Sequence, residues 1–293
     1  MEIFCSTIIP TVNRSTLSRA VHSVLDQSFN SAGYEVIVVN DSGNPLSEAE
    51  WQCSNYVRII NTNHRERSVA RNTGAAVACG KFLHFLDDDD ILLPGALNAF
   101  WSLNQECEAD WLLGGWRTVD NTGKLVEEFT PPLKGNIFAL LVAGEGLPFQ
   151  ASLLSTEKFY KAGAFDPTIT GVEDRDLGRR IALFGEIAYT STVTAEIRIG
   201  QQGSTTNWGI LAEDDRWARE KALSAPNAFR RLHSSARSNY WRGRVTRAYA
   251  GSMAWNLKHK NWLIALSRLL AGISFSGVPV FSQDYWKGIR QIR

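Results

Sequence analysis

The sequence predicts an α/β fold whose first part is a parallel, doubly wound sheet. Over residues 1–90, apolar runs rich in β-branched residues alternate with segments of helical spacing. The second observation is the stretch 81–94, where the apolar run Phe82–Leu86 stops abruptly in Asp87, Asp88, Asp89 and Asp90. Strand interiors are depleted in Asp, so the acids sit beyond the carboxyl end of a strand, the edge at which open α/β sheets bind ligands. The third observation is bulk: an apolar fraction of 44% over 293 residues suits one large domain, or one domain with an appendage.

Ile3 to Ile9 reads as a first strand, buried on both faces and ending at Pro10-Thr11. Leu17, Ala20, Val21, Val24 and Leu25 give helical spacing from Ser15 to Phe29, with Ser15 as N-cap. Tyr34 to Val39 is a second strand, stopped by Asn40-Asp41-Ser42-Gly43, and Val57 to Ile60 a short third one. Ser68 to Cys79 is a helix of small residues, which let it lie close to a sheet, and Phe82 to Leu86 is the fourth strand. A helix follows from Pro94 to Cys107, then strands from Ala109 to Val119 and on to Phe129 around a turn at Asn121-Thr122-Gly123. Residues 130–150 read as an irregular segment with a short helix near Ile137 to Val142 and a Gly-rich rim. Gly185 to Ile199 holds a last strand region. Trp241 to Leu257 and Asn261 to Ile273 have helical spacing.

The acid cluster has two readings. Carboxylates this crowded repel unless neutralised, and hard ions such as Mg²⁺ or Mn²⁺ take one or two of them together with substrate phosphates. Alternatively the run is a solvated turn that caps the helix after Pro94. Net charge is +1, but 19 basic and 29 acidic residues lie in 1–225, against 12 basic and one acidic residue, Asp284, in 226–293. Such asymmetry points to a basic surface for an anionic partner. Cys5, Cys53, Cys79 and Cys107 lack paired spacing, which excludes a zinc or disulfide framework and fits a reduced cytosolic compartment. Cys5 and Cys79 read as buried thiols in apolar surroundings. The start of the chain has no signal-peptide pattern. Trp262 to Phe281 is long enough to cross a bilayer, but Arg268, Ser and Gly residues and Pro279 interrupt it, which favours a soluble or interfacial segment.

Four motifs occur in order: Ile-Ile-Pro-Thr-Val-Asn-Arg at 8–14, Val-Ile-Val-Val-Asn-Asp-Ser-Gly at 36–43, Ala-Arg-Asn-Thr-Gly at 70–74 and Phe-Leu-Asp-Asp-Asp-Asp-Ile-Leu-Leu-Pro at 85–94. Together they resemble family 2 glycosyltransferases, inverting enzymes of the GT-A fold, over about residues 1–210. The chain reads as a catalytic domain at 1–224 (nucleotide-binding half 1–120, acceptor half 121–224) followed by a basic, aromatic, helical C-terminal extension at 225–293 that lies outside the resemblance. The resemblance implies a Rossmann-like mixed sheet flanked by helices. It implies Mn²⁺ or Mg²⁺ at Asp89 and Asp87, with Asp88 nearer the ribose and Asp90 structural. Pro10, Thr11, Asn13 and Asp41 would line the nucleoside pocket, although Asp41 also suits a plain turn beside Gly43. An aromatic residue of many members is replaced by Val12. Arg71 resembles an arginine near the diphosphate; on its own it suits phosphate or one of the clustered acids.

A second cluster, Gly163-Ala-Phe-Asp166 followed by Gly171-Val-Glu-Asp-Arg-Asp176, matches the family's turn and acidic pair opening a helix. Asp174 is thereby the base for the acceptor hydroxyl, with Glu173 orienting the acceptor or standing in; the alternative is first-turn acids paired with Arg179 and Arg180. Arg198 and Ser204 fit a phosphate- or acceptor-contacting segment that lacks the family's His. The processive-synthase signature Gln-Gln-Arg-x-Arg-Trp is also missing, which favours single-sugar transfer.

The expected activity is transfer from a UDP-linked or similar nucleotide sugar to a glycan or lipid-linked acceptor, in the cytoplasm or on the inner face of the membrane. No nucleic-acid partner is expected. A sugar nucleotidyltransferase would need a Gly-rich first turn where Pro10-Thr11-Val12-Asn13 stand. A non-catalytic sugar-nucleotide-binding protein would keep Asp87 and Asp89 without a working base. The extension, with Trp241, Trp255, Trp262 and Trp286 among basic residues, suits either a packed hairpin or an anionic membrane surface reached through cations such as Arg242, Arg244 and Arg247.

Overall fold

A computed structural model describes residues 2–63, 66–200 and 208–290. Among them are nine strands: β1 (Ile3–Thr11), β2 (Gly33–Asn40), β3 (Val57–Asn61), β4 (Phe82–Phe85), β5 (Ile91–Leu92), β6 (Trp111–Val119), β7 (Leu125–Phe129), β8 (Ser152–Ser155) and β9 (Ile187–Arg198). The helices are α1 (Leu17–Leu25), α2 (Arg67–Val77), α3 (Ala96–Glu106), α4 (Phe138–Val142), α5 (Thr156–Lys161), α6 (Glu173–Ala182), α7 (Trp208–Leu223), α8 (Ala228–Ser235), α9 (Asn239–Lys258), α10 (Trp262–Ser276) and α11 (Gln283–Arg290).

All nine strands form one mixed sheet in the order β3-β2-β1-β4-β8-β6-β9-β5, with β7 paired to β6. The four strands expected over 1–90 are there and are mutually parallel. β8 runs antiparallel to β4 and β6, β9 is parallel to β6, and β5 is antiparallel to β9. Ile8, Ile9 and Val36 to Val39 are completely buried, as expected of strands covered on both faces.

Two compact units divide the chain. The first, Met1–Gly135, Pro148–Thr168 and Gly185–Ser204, holds the whole sheet with α1, α2, α3 and α5. Its core joins Phe4, Phe29, Phe82 and Trp101 in edge-on and tilted ring contacts. α2 lies against β1 because Gly74 permits it: a Cβ there would stand 2.5 Å from Cγ2 of Ile8.

The helix expected from Ser15 to Phe29 is shorter. Thr16, not Ser15, is its N-cap, and no side chain caps it. It ends at Leu25, where the Gln27 amide caps the last turn by donating to the Ser23 carbonyl at 2.9 Å and also reaches the Leu93 carbonyl at 2.9 Å. Cys5 is buried as expected, and burial pushes its thiol up to about 12. Cys79 is exposed, contrary to expectation, because it follows the end of α2, where its N–H donates to Glu35.

The second unit, Asn136–Leu147, Ile169–Phe184 and Thr205–Arg293, is helical. α9 packs on α11 through two glycines: a Cβ on Gly243 would meet the Tyr285 carbonyl at 2.1 Å, and one on Gly288 the Tyr240 carbonyl at 2.2 Å. The cations singled out on α9 all make contacts within the unit, although Arg247 is itself exposed. Arg244 is buried, pairs with Glu145 at 3.1 Å and donates to the Ala143 carbonyl. Arg242 lies over the Phe275 ring and donates to its carbonyl, and Arg247 donates to that of Ile289. Arg242 and Arg244 hold helices together, the packing side of the two readings weighed from the sequence. Among the described residues no helix is long and apolar enough to cross a membrane.

Candidate nucleotide and metal site

At the carboxyl ends of β1, β2 and β4 a cavity of about 220 Å³ is lined by Pro10, Thr11, Asp41, Arg71, Arg198 and all four clustered acids. Each arrives there by strand geometry. Thr11 ends β1, Asp41 follows β2 and Asp87 follows β4 by two residues.

The four acids have different partners. Asp88 is buried and accepts the Thr11 hydroxyl at 2.5 Å and Arg14 Nη1 at 2.8 Å. Burial pushes its carboxyl up, against those two contacts. Asp87, half-buried, accepts Arg71 Nη2 at 2.7 Å and the Gln150 amide at 3.0 Å. Burial opposes its ionisation, but the Arg71 charge and hydrogen bond outweigh that and hold it below the usual carboxylate range. Asp89 is pushed up by burial and by the charge of Asp87, with Arg14 3.4 Å away. Asp90 is buried and accepts the Arg198 N–H at 2.8 Å. Burial and then the Asp87 charge push it well above the usual range.

Carboxylate oxygens of Asp87, Asp89 and Asp90 all lie within 4.8 Å of one another. Three hard oxygen donors at that spacing suit a divalent cation such as Mg²⁺ or Mn²⁺. Asp90 therefore does two things: it anchors the end of β9, as a structural residue would, and it faces the cluster that was expected to contain only Asp87 and Asp89. Asp88 is turned toward Thr11 and Arg14 instead.

Asp41 accepts the Thr62 hydroxyl at 2.7 Å and the Glu66 N–H at 3.1 Å, which places the approach to α2. Glu66 in turn caps that helix by accepting the Ser68 N–H. Arg71, from α2, is nearly buried beneath the acids, with its guanidinium carbon 5.3 Å from the centre of the Phe165 ring. Asn13 does not line the cavity; its backbone, at φ +67, turns the chain, and its N–H donates to Thr11 Oγ1. Arg198 lines the wall and donates to the Asn121 carbonyl. Ser204 lies outside the described residues.

Arg14, Arg67 and Gln150 also line the cavity and were not singled out from the sequence. Arg14 closes the first motif, which is a signal available in the sequence. Gln150 belongs to a segment read as irregular, and only folding brings its amide to Asp87.

Glu173 and Asp174 open α6, in the second unit. First-turn acids there are favoured by the helix dipole. Glu173 is buried and Asp174 half-buried. Of the ion pairs weighed from the sequence, Arg180 pairs with the first-turn acid Asp176 at 2.5 Å, while Arg179 reaches Asp215 at 2.7 Å.

Residues 6–144 match the family described as glycosyl transferase family 2. Poly(ribitol-phosphate) beta-N-acetylglucosaminyltransferase TarP of Staphylococcus aureus (strain N315) is 29% identical over 167 residues, 55% of this chain and 50% of that protein. UDP-Glc:alpha-D-GlcNAc-diphosphoundecaprenol beta-1,3-glucosyltransferase WfgD of Escherichia coli is 29% identical over 137 residues, 45% of this chain and 53% of that one. An uncharacterized glycosyltransferase of Rickettsia bellii is 31% identical over 214 residues, 68% of this chain but 30% of the relative. The chain thus spans about half the length, or less, of these curated relatives. Among solved structures, S. aureus TarS 1-349 in complex with UDP-GlcNAc superposes with a TM-score of 0.63 at 14% identity, covering 98% of this chain and 92% of that one. That likeness shows a shared GT-A-type fold. With four motifs in order, their acids and polar groups gathered at one sheet edge, and the family match over the same residues, the chain belongs to glycosyltransferase family 2.

Proposed function

We propose that the protein is a metal-dependent, inverting glycosyltransferase that moves a single sugar from a UDP-linked donor to a hydroxyl of a glycan or lipid-linked acceptor. The observation that carries this reading is the set of Asp87, Asp89 and Asp90 oxygens within 4.8 Å, in a cavity shared with Thr11, Asp41 and Arg71. Thr11, Pro10 and Asp41 contact the nucleoside, with Asn13 shaping that loop, and Asp88 lies nearer the ribose. Arg71, Arg14 and Arg198 supply cations beside the diphosphate. Bound Mn²⁺ or Mg²⁺ would neutralise charge on that diphosphate. Asp174, with Glu173 beside it, takes the proton of the acceptor hydroxyl as its oxygen bonds the anomeric carbon and the nucleoside diphosphate leaves. Residues 1–224 form the catalytic part and 225–293 an extension that contacts an anionic membrane, on which a lipid-linked acceptor is presented; the activity printed for WfgD supports such an acceptor.

Thermal unfolding with UDP-sugars and Mn²⁺, followed by product analysis, tests the reading. A ligand at a hundred times its Kd adds about 2.7 kcal/mol to stability. Wild type should gain stability only with nucleotide and metal together and release UDP and a glycoside. Asp89→Asn should fold, lose that gain and make no product. Pyrophosphate as the product, or an undiminished gain in excess chelator, refutes the reading.

A further inference from the structure

α10 is apolar on both sides. Ala265, Gly272 and Phe275 are buried on its inner face, and Arg268, on the same side, pairs with the carboxylate of Glu220. Its opposite face carries Leu263, Leu266, Leu270 and Ile273, exposed by 84%, 53%, 58% and 61%. These positions recur at helical spacing and form one stripe. The 3₁₀ turn after the helix adds Val278 and Phe281, exposed by 81% and 89%. A run of large, bare aliphatic side chains on one helix face marks an interaction surface.

We propose that this outward face of α10 lies in the plane of an anionic membrane, with its leucines seated at the boundary between head groups and acyl chains. The inference deepens the membrane contact of the proposed function and rests on it; what is new is that the stripe, and not the arginines of α9, makes the contact. Three observations select a bilayer as the occupant. At 15 residues α10 is about 22 Å long, short of the roughly 30 Å needed to span, so it lies flat. Exposed Lys258 and Lys260 precede it, followed by exposed Trp262, the side chain suited to a surface half apolar and half wet. Residues 258–283 contain no Asp or Glu, so a second copy would set cations against cations, whereas anionic head groups complement them.

Sedimentation of the full chain with phosphatidylglycerol-containing and with purely phosphatidylcholine vesicles tests this. Wild type should bind the anionic vesicles at low salt and release them as salt rises. Leu266→Asp/Leu270→Asp should lower the partition coefficient roughly tenfold or more at every salt concentration. Lys258→Glu/Lys260→Glu should bind more weakly at low salt and lose the salt dependence. The stabilisation by UDP with Mn²⁺ should be unchanged in both variants, showing that they fold. If the double leucine variant binds as well as wild type, this face is not the contact, while the membrane reading survives. If wild type ignores anionic vesicles, the membrane reading itself fails, and this inference with it. If analytical ultracentrifugation finds a wild-type dimer that the leucine variant dissolves, the face belongs to a second copy and the inference is overturned.

Discussion

Arg71→Met removes the guanidinium that anchors Asp87 and keeps the length and most of the apolar bulk of the side chain. Arg71 is 4% exposed and Asp87 31% exposed, with 2.7 Å between Nη2 and Oδ1. Breaking a fully buried pair costs about 3–5 kcal/mol because one charge is left stranded. Solvent at Asp87 discounts that to about 2 kcal/mol, and the lost contact with Phe165 adds less than about 1 kcal/mol. For a chain of this size each kcal/mol is worth roughly 2–4 °C, so Tm near pH 7 should fall by about 4–10 °C. The pH dependence is the sharper readout. In wild type Asp87 is held below its ordinary value, so its contribution is present at neutral pH and lost as pH falls through the carboxylate range. Without Arg71 the main charge holding that carboxyl down is gone, leaving only Arg67 and Gln150, so the variant's Asp87 takes up a proton at higher pH than the wild type's. The variant's deficit should therefore shrink as pH falls from neutral through the carboxylate range. Thermal melts across that window measure it. A deficit that is absent, or that stays constant with pH, refutes the electrostatic account of Arg71.

Asp174→Asn should bind donor and metal almost normally and lose about a hundredfold or more in turnover; normal turnover here with a dead Glu173→Gln would assign the base to Glu173 instead. His84 is fully buried, with Nδ1 3.2 Å from the Thr7 hydroxyl and Nε2 2.9 Å from the Gln150 carbonyl, and burial pushes it down to about 4. The unfolded imidazole protonates near its ordinary value while the folded one stays neutral, so stability should fall by about 3 kcal/mol as pH drops from about 6.5 to 4. His84→Gln should be less stable overall but lack that slope, as urea titrations at several pH values would show. Equal slopes in the two proteins would contradict the assignment.

The parallel half of the sheet was legible because its strands are buried on both faces and therefore read as unbroken apolar runs. Their ends were legible for a related reason: Asp41 and the four acids cannot continue a core strand, and the same residues make the site, although Asn40, read as a strand stop, is the last residue of β2. β8 was missed because Ser152–Ser155 is only four residues, just beyond the irregular segment 130–150, and β5 because two residues have no periodicity. Arg14 and Gln150 reach the acids across 74 and 63 residues of chain, a proximity that only folding creates. Charge counts do not reveal direction on α9: Arg244 ends on Glu145 and a helix carbonyl, while Arg247 is exposed.

The four acids also form a cord with two fixed ends. β4 leads into them and β5 leaves them, yet in the sheet these strands are separated by β8, β6 and β9. Four interstrand steps would cover about 19 Å in a flat sheet. Six residue steps from Phe85 to Ile91 reach about 20 Å only when fully stretched, and here the Asp90 N–H turns back to the Asp87 carbonyl at 3.1 Å. The sheet is therefore drawn into a curl by a string barely long enough to close it. Asp90 knots that string to the last residue of β9, and Ile91 ties it to Glu196. The number of residues between the two strands is thus as constrained as their chemistry, because slack of a single residue would leave every carboxylate in the sequence and none at its station.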